Sequence, residues 1–344
     1  MSEKFITSTL NKKNQAQDNS LRPGDFKSFP GQDKEKEKLQ LYTAAAKQRN
    51  EALGHLLLSG PPGLGKTTLA YIIANEMGSN IKSSSGPAIE KPGDLAGLLT
   101  SLQAGDILFI DEIHRLNNTV EEYLYSAMED YFIDIMLDQG PGARSVRLNV
   151  EHFTLIGATT RQGMLTAPLR SRFGMSCRLE LYKPEDLKTI IHRSAGILGV
   201  TIDDEGAYEI ARRCRGTPRI ANSLLRWARD YAQIKGNRQI DQAIANAALA
   251  MYDIDNDGLD SMDNRLLEII VNFYHGGPVG VKTLAVAVGE EERTIEDVYE
   301  PYLIQEGFLM RTAQGRVAAP RAWQKLGLKP PSGKMSKNDH PELF

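Results

Sequence analysis

Cysteine is scarce. The 344-residue chain has two, Cys177 and Cys214, too few for a disulfide framework or a cysteine-based metal cluster. Both sit among apolar residues and are expected to be small core fillers in a reducing, intracellular setting. Long apolar runs are missing too: no stretch approaches the ~20 residues needed to span a bilayer, and the N-terminal region has no signal-like apolar segment. A cytoplasmic protein without membrane association is the expectation. Nor is there an excess of charge of one sign. The formal net charge is −3, so any nucleic-acid site has to be local. What is present is ample: 41% of the residues are hydrophobic, and the length argues for about two or three domains.

The most informative stretch is Gly60-Pro61-Pro62-Gly63-Leu64-Gly65-Lys66-Thr67. The apolar run His55–Ser59 leads into it as a short buried strand, and Leu69, Ile72, Ile73 and Met77 follow at helical spacing. Strand, glycine-rich loop and helix are the context that GxxxxGK[ST] requires as a phosphate loop. Its glycines let successive N–H groups curl around phosphate oxygens at a helix N-terminus whose partial positive charge favours anions. Lys66 is then placed to reach the β- and γ-phosphates, and the Thr67 hydroxyl to ligate Mg²⁺. This predicts a nucleotide-binding protein using ATP/ADP and Mg²⁺.

Downstream, Asp106–Ile110 is an apolar strand ending in Asp111-Glu112. In a phosphate-loop fold that strand end faces the nucleotide, where Asp111 holds the metal's water shell and Glu112 polarises the attacking water. Before the loop, residues 1–20 read as a polar, mobile arm, and Asp33–Arg49 as a charged helix. Ser84–Gly86 reads as a turn and Lys91–Leu102 as a helix. Residues 132–150 read as a β-hairpin around Asp138–Gly142, more apolar on its first arm than a projecting hairpin needs. Packing on the parent sheet and a docking surface for a partner both account for that. Phe153–Thr160 is a further strand, followed by the two arginines of Leu169-Arg170-Ser171-Arg172-Phe173-Gly174. These form either a solvated turn or a charge donor reaching a neighbouring subunit's phosphate.

From Pro184 the pattern turns to helices only, a small lid. Pro218 fits the first turn of its helix, which puts Arg219 near the N-terminal end. Asp253–Gly258 starts like a calcium loop, but the twelfth position, a bidentate glutamate in such loops, is Asn264; a solvated linker is expected. Residues 264–330 then give three helices and a two-stranded wing, Phe308–Arg311 and Arg316–Ala318, a winged helix. Its third helix is rich in Glu and Asp, which disfavours reading of the major groove. Arg311, Arg316, Arg321, Lys325, Lys329 and Lys334 follow with no acid between them, so DNA binding falls to the wing and basic tail through phosphates. Residues 331–344 read as disordered.

These residues resemble the RuvB family, the AAA+ motors that drive Holliday-junction branch migration. The resemblance is carried by Gly60–Thr68, Ile110–Leu116, Ala127–Tyr131, Ile156–Arg161, Leu169–Gly174, Gly216–Arg219 and Glu300–Gln305, over roughly residues 21–327. It implies an α/β AAA+ core, a parallel sheet with helices on both faces, over 21–182. A small all-α lid over 183–254 and a winged-helix domain over 255–330 follow. It implies further that Gly63, Gly65, Lys66, Thr67 and Thr68 hold the phosphates and that Asp111 and Glu112 are the metal and water residues. Thr160, or its neighbour Thr159, is then a first sensor of the γ-phosphate and Arg219 a second, from the lid. Arg172 is the arginine finger given to the adjacent subunit, with Arg170 a helper. Leu21, Arg22 and Tyr182 surround the base, with Glu129, Asp130 and Tyr131 nearby. Arg311 and Arg316 touch DNA, and the hairpin docks RuvA. One departure stands out: Thr312-Ala313-Gln314 occupies a stretch where the family has proline and arginine, a wing expected to hold DNA more weakly.

The mechanism so implied is a homo-hexameric ring in which hydrolysis occurs at subunit junctions. The lid swings as γ-phosphate is lost, and the short Asp253–Asp263 linker passes that swing to a winged helix gripping duplex DNA at the junction. The resolvase RuvC is a further partner in this picture. Two other classes stay open on sequence alone. One is a clamp-loader-like AAA+ switch, which has no need of a winged helix. The other is a nucleotide-gated DNA-binding regulator, which the acidic third helix disfavours.

Overall fold

The structure is a computed structural model that describes residues 20–136 and 145–330. All but the last residue of the expected arm over 1–20, the hairpin turn at 138–142 and the tail at 331–344 lie outside the described residues. The chain divides into two compact units, one spanning Asn11–Asn246 and one containing Ala247–Phe344.

The first unit is built on five parallel strands, β1 (Leu56–Ser59), β2 (Ile81–Ser85), β3 (Ile107–Asp111), β6 (Thr154–Thr159) and β7 (Met175–Arg178), in the order β2-β3-β6-β1-β7. Strands β1, β3 and β6 are nearly continuous apolar runs, as strands covered on both faces must be. The covering helices are α1 (Asp33–Arg49), α2 (Lys66–Met77), α3 (Pro92–Thr100) and α4 (Asn118–Glu129). Strand β1 has β6 on one side and β7 on the other while its own crossover leads to the far edge at β2, so the order reverses at β1. Ligands of such sheets bind in the crevice at that reversal, outside the carboxyl ends of the strands. His55 fixes the entry to β1: its Nδ1 accepts from Leu155 N–H at 2.9 Å and its Nε2 meets the Met128 carbonyl at 3.1 Å. That pattern requires the neutral ring, and burial lowers its pKa in the same direction.

Two local expectations are corrected. Ser84 and Ser85 belong to β2, paired with Ile110 and Asp111, because a serine run adjoining a buried strand completes its ladder. Helix α3 begins at Pro92, where Asp94 accepts the backbone N–H of Lys91 at 3.1 Å and closes the first turn. The hairpin of β4 (Phe132–Met136) and β5 (Ser145–Asn149) pairs only with itself, but Ile133 is fully buried in the core cluster with Val150 and Phe153. Its outer side carries Arg147, which makes a two-pronged ion pair with Asp134 and lies 3.9 Å from the Phe132 ring centroid. Both cysteines are buried and free, each thiol pushed up to about 12 by burial.

After β7 comes the short lid: α6 (Pro184–Leu198), α7 (Asp204–Arg213), α8 (Pro218–Lys235) and α9 (Gln242–Met251), with α5 (Ala167–Ser171) lying earlier, between β6 and β7. The lid is not purely helical. Strands β8 (Thr201–Ile202) and β9 (Gln239–Ile240) form a two-residue parallel pair.

The second unit has α10 (Ser261–Glu268), continued by a wider turn over Ile269–Phe273, then α11 (Val281–Val288). A third helical run follows, of α12 (Glu292–Thr294), a wider turn over Ile295–Tyr299 and α13 (Glu300–Gln305). The wing is β10 (Leu309–Thr312) against β11 (Gly315–Ala318), ahead of α14 (Pro320–Lys325). Here the acidic stretch read as a solvated linker proves to be pinned. Asp255 accepts the backbone N–H groups of Asp257 and Leu259 at 2.8 and 3.0 Å, and Lys325 reaches both Asp255 and Asp257 at 2.7 Å. Arg321 pairs with Asp257 and Glu306. The loop therefore neutralises two of the cations read as a DNA-facing tail. Asp260 caps α10 by accepting from Met262 and Asp263 N–H, both at 2.9 Å, while Asp263 reaches back to the Asp260 N–H. Asp260→Ala leaves those donors without their cap and is expected to cost about 1–2 kcal/mol of stability, read as an earlier urea-unfolding midpoint of the winged-helix transition with unchanged slope.

Candidate nucleotide site

The phosphate loop leaves β1 and turns into α2 at the crevice of the sheet. Gly60, Gly63 and Gly65 all have positive φ, 134°, 81° and 98°, a region open to glycine and strained for other residues. The space is closed as well. A Cβ at Gly60 would come 2.5 Å from the Leu179 carbonyl oxygen, and one at Gly63 3.1 Å from the Arg219 Cβ. Lys66 opens the helix and is buried; its Nζ donates to the Gly60 and Pro61 carbonyls, 2.8 Å each. Burial lowers its pKa to about 8, Asp111 and Glu112 oppose that fall, and Arg219 adds to it. One ammonium thus feels three of the charged residues singled out in the sequence, Asp111, Glu112 and Arg219. Thr67 and Thr68 follow in the first turn of α2, both half-buried.

Asp111 ends β3 and accepts the backbone N–H of Glu112 at 2.9 Å. Glu112 has a left-handed backbone, φ 49°, and pairs with Arg115 at 2.9 Å. Strand β6 lies between β3 and β1 and brings the two threonines to the same edge. They are not equivalent. Thr159 is fully buried, its hydroxyl accepting Arg161 N–H at 3.0 Å and meeting His114 Nδ1 at 2.9 Å. Thr160 is exposed at the strand end. Among the described residues no group of three or more His, Cys, Asp or Glu side chains could hold a metal alone. A divalent ion held by a hydroxyl, one carboxylate, waters and phosphate oxygens fits the donor set that Thr67 and Asp111 offer.

The lid closes on this loop. Arg219 N–H donates to the Gly63 carbonyl at 3.4 Å, and the Tyr182 hydroxyl donates to the Leu64 carbonyl at 3.2 Å. Burial raises the Tyr182 pKa, so it stays a neutral donor. Leu21 is buried and Arg22 exposed, with its guanidinium 5.8 Å from the Tyr71 ring centroid. Arg193 of α6, which sequence reasoning passed over, donates to the carbonyls of Leu21 and Arg22 at 2.6 and 3.3 Å. Its partners are main-chain oxygens some 170 residues away, and nothing in the residue pattern announces them.

Of the remaining candidates in this unit, Arg172 and Glu129 meet each other. Arg172 donates to Glu129 at 3.0 Å and to the Pro168 carbonyl at 2.8 Å. Asp130, next to Glu129 in the chain, is exposed, and the Tyr131 ring lies 3.8 Å from that of His152. In the second unit the two wing arginines differ sharply. The Arg311 side chain is 57% exposed and that of Arg316 8%. Arg316 is taken up by Glu300 at 2.5 and 3.1 Å and by Glu296 at 2.9 Å, and Arg311 also meets Glu296 at 3.1 Å.

Three family models match the chain. Residues 21–179 match the Holliday junction DNA helicase RuvB P-loop domain, residues 182–255 the RuvB AAA lid domain, and residues 256–327 the RuvB C-terminal winged helix domain. The Holliday junction branch migration complex subunit RuvB of Salinibacter ruber is 59% identical over 312 residues, 91% of each chain. That of Pelodictyon phaeoclathratiforme is 62% identical over 302 residues, 88% of each. Among solved structures, the Thermotoga maritima RuvB Holliday junction branch migration motor superposes with a TM-score of 0.82 at 48% identity, covering 91% of this chain and 100% of that one. With a phosphate loop, a lid that closes on it and a winged-helix unit all matched in order, the chain belongs to the RuvB family.

Proposed function

We infer that the chain is an ATP-hydrolysing motor that drives branch migration of Holliday junctions. The match to RuvB over residues 21–327 carries the junction activity, and the buried Lys66 at the head of α2, its Nζ on the Gly60 and Pro61 carbonyls, carries the nucleotide site. Lys66 and the N–H groups of the loop cradle the phosphates, Thr68 lies toward the α-phosphate, and Glu112 orients the attacking water. Mg²⁺, held by Thr67 and Asp111, supplies neutralisation of the charge that develops on the phosphates. Thr160 is the sensor that the geometry favours, since the Thr159 hydroxyl is already engaged by His114 and Arg161. Arg219 reads the phosphate from the lid. Leu21, Arg22 and Tyr182 flank the base, and the family resemblance puts Glu129, Asp130 and Tyr131 nearby.

Arg172 acts in trans as the arginine finger, a device worth about three to five orders of magnitude in rate. That arrangement needs a ring, here a homo-hexamer. The exposed side of the β4–β5 hairpin is the surface for RuvA, and RuvC joins the assembled complex. No helix of the described residues is long and apolar enough to cross a membrane, and we place the motor in the bacterial cytoplasm.

The decisive experiment follows ATP hydrolysis and four-way-junction dissociation together, with and without RuvA. Stimulated hydrolysis with junction dissociation, both lost in Lys66→Ala, is the expected result. Hydrolysis indifferent to junction and RuvA would overturn the motor reading in favour of a switch.

The Lys66 pKa adds a second expectation. Phosphate anions favour the ammonium form, so binding raises a pKa that stands at about 8 without them. At pH near 8.5 nucleotide binding therefore takes up a fraction of a proton, and affinity declines as pH rises through about 8. Near pH 7 the lysine is already charged and this uptake vanishes. Calorimetry in buffers of different ionisation enthalpy checks the sign.

On DNA, Arg311 carries the phosphate contact, while Arg316 reaches a phosphate only by leaving Glu300. Glu296→Gln removes the carboxylate that competes for Arg311 and should tighten duplex binding several-fold at low salt. Arg311→Ala should weaken binding evenly across sequences and lower the salt slope by about one. Fluorescence anisotropy across a salt series measures both.

A further inference from the structure

Arg172 is gripped by a stripe of side chains on helix α4, of which Glu121 and Tyr125 lie outside the motifs named above. Helix α4 carries Glu121, Tyr125 and Glu129 at intervals of four, hence along one face. The Tyr125 hydroxyl donates to the Glu121 carboxylate at 3.0 Å and lies 2.7 Å from the Thr166 hydroxyl, from which it accepts. Thr166 in turn is the N-cap of α5, accepting from Leu169 N–H at 3.3 Å. Helix α5 ends at Ser171, immediately before Arg172. The same tyrosine ring lies against the finger itself, with Arg172 Cζ 4.5 Å from the ring centroid. One guanidinium nitrogen goes to Glu129 and another to the Pro168 carbonyl, whereas Nε is buried without an acceptor.

We propose that Tyr125 is a positioning residue for the arginine finger, fixing the helix that carries Arg172 through its hydroxyl and the guanidinium through its ring. The proposal rests on the reading of Arg172 as a finger acting in trans. Its physical core is that a cation over an aromatic face is held without using its N–H donors. Tyr125 can therefore keep its grip while those donors turn to a neighbouring subunit's phosphate. Glu129 holds a donor directly and has to yield it for the same event. A geometric error of about 1 Å in a catalytic group can cost about a hundredfold in rate, so a residue that fixes both helix and side chain is worth a large factor.

The test uses mixed rings of the full chain. Tyr125→Leu, which loses ring and hydroxyl, is expected to lower kcat for ATP about ten- to a hundredfold with nucleotide affinity held within about twofold. Tyr125→Phe keeps the ring and should lose no more than about tenfold. Mixed with Lys66→Ala subunits, which are dead at their own loop but have an intact finger, Tyr125→Leu subunits should regain turnover several-fold. Arg172→Ala mixed in the same way is the control. Rescue of that control without rescue of Tyr125→Leu would show that Tyr125 serves its own subunit's site, overturning the proposal. Failure of the control itself would remove the finger reading and the proposal with it. A fall in nucleotide affinity as large as the fall in kcat would equally refute a positioning role.

Discussion

A charged ammonium kept out of water is the constraint around which the nucleotide-binding unit is arranged. Removing such a charge from solvent is costly unless partners replace its hydration. Lys66 finds them in the carbonyls of Gly60 and Pro61 and in the attraction of Asp111 and Glu112. Each partner has its own structural requirement. The carbonyls belong to a loop in which Gly60, Gly63 and Gly65 take a positive φ that favours glycine. The carboxylates arrive only because β3 stands two strands from β1, with β6 between them, and ends level with the crevice. The compensation is incomplete, which is why the lysine pKa lies below the ordinary range, and that shortfall is what an anionic ligand repairs.

The lid acts on the same point from the other side. Arg219 lowers the Lys66 pKa while its own N–H holds the Gly63 carbonyl, so it adds unfavourable charge and a favourable hydrogen bond at once. Phosphate between the two cations would turn their repulsion into joint attraction. Loss of a phosphate would restore it. In the proposed reading, closure of the lid would thus be tied to nucleotide through electrostatics at one loop, and Arg193 of the lid also holds the Leu21 and Arg22 carbonyls.

Legibility from sequence followed the range of the chemistry. The phosphate loop was readable because its strand, glycines, lysine and helix are contiguous, and Asp111-Glu112 because the acids end an apolar strand. Helix α1 was readable to its boundaries for the same local reason. Contacts made across the fold were not. Arg193 acts on main-chain oxygens, which leave no trace in residue types. The basic run after the wing looked free because the acids that engage Arg321 and Lys325 lie in the loop around Asp255 and Asp257, some 65 residues earlier. The stripe Glu121, Tyr125, Glu129 was present in the spacing, but its meaning depends on Thr166 and Arg172 from another helix.

The same distance effect recasts the acidic third helix of the wing domain. As a string of charges it argues against DNA; in the fold, two of its acids are spent on the wing. Glu300 and Glu296 both hold Arg316, which is buried; Glu300 is the buried partner, and its removal would strip most of the compensation from a buried cation, a change that costs about 3–5 kcal/mol in such pairs. The pair therefore fastens the wing to the helix. Glu296 also reaches the exposed Arg311, so a single carboxylate is shared between a structural cation and a surface one. A phosphate that took Arg311 would leave that carboxylate to Arg316 alone. Under the proposed DNA reading, occupation of the surface cation and fastening of the wing would then act in the same direction.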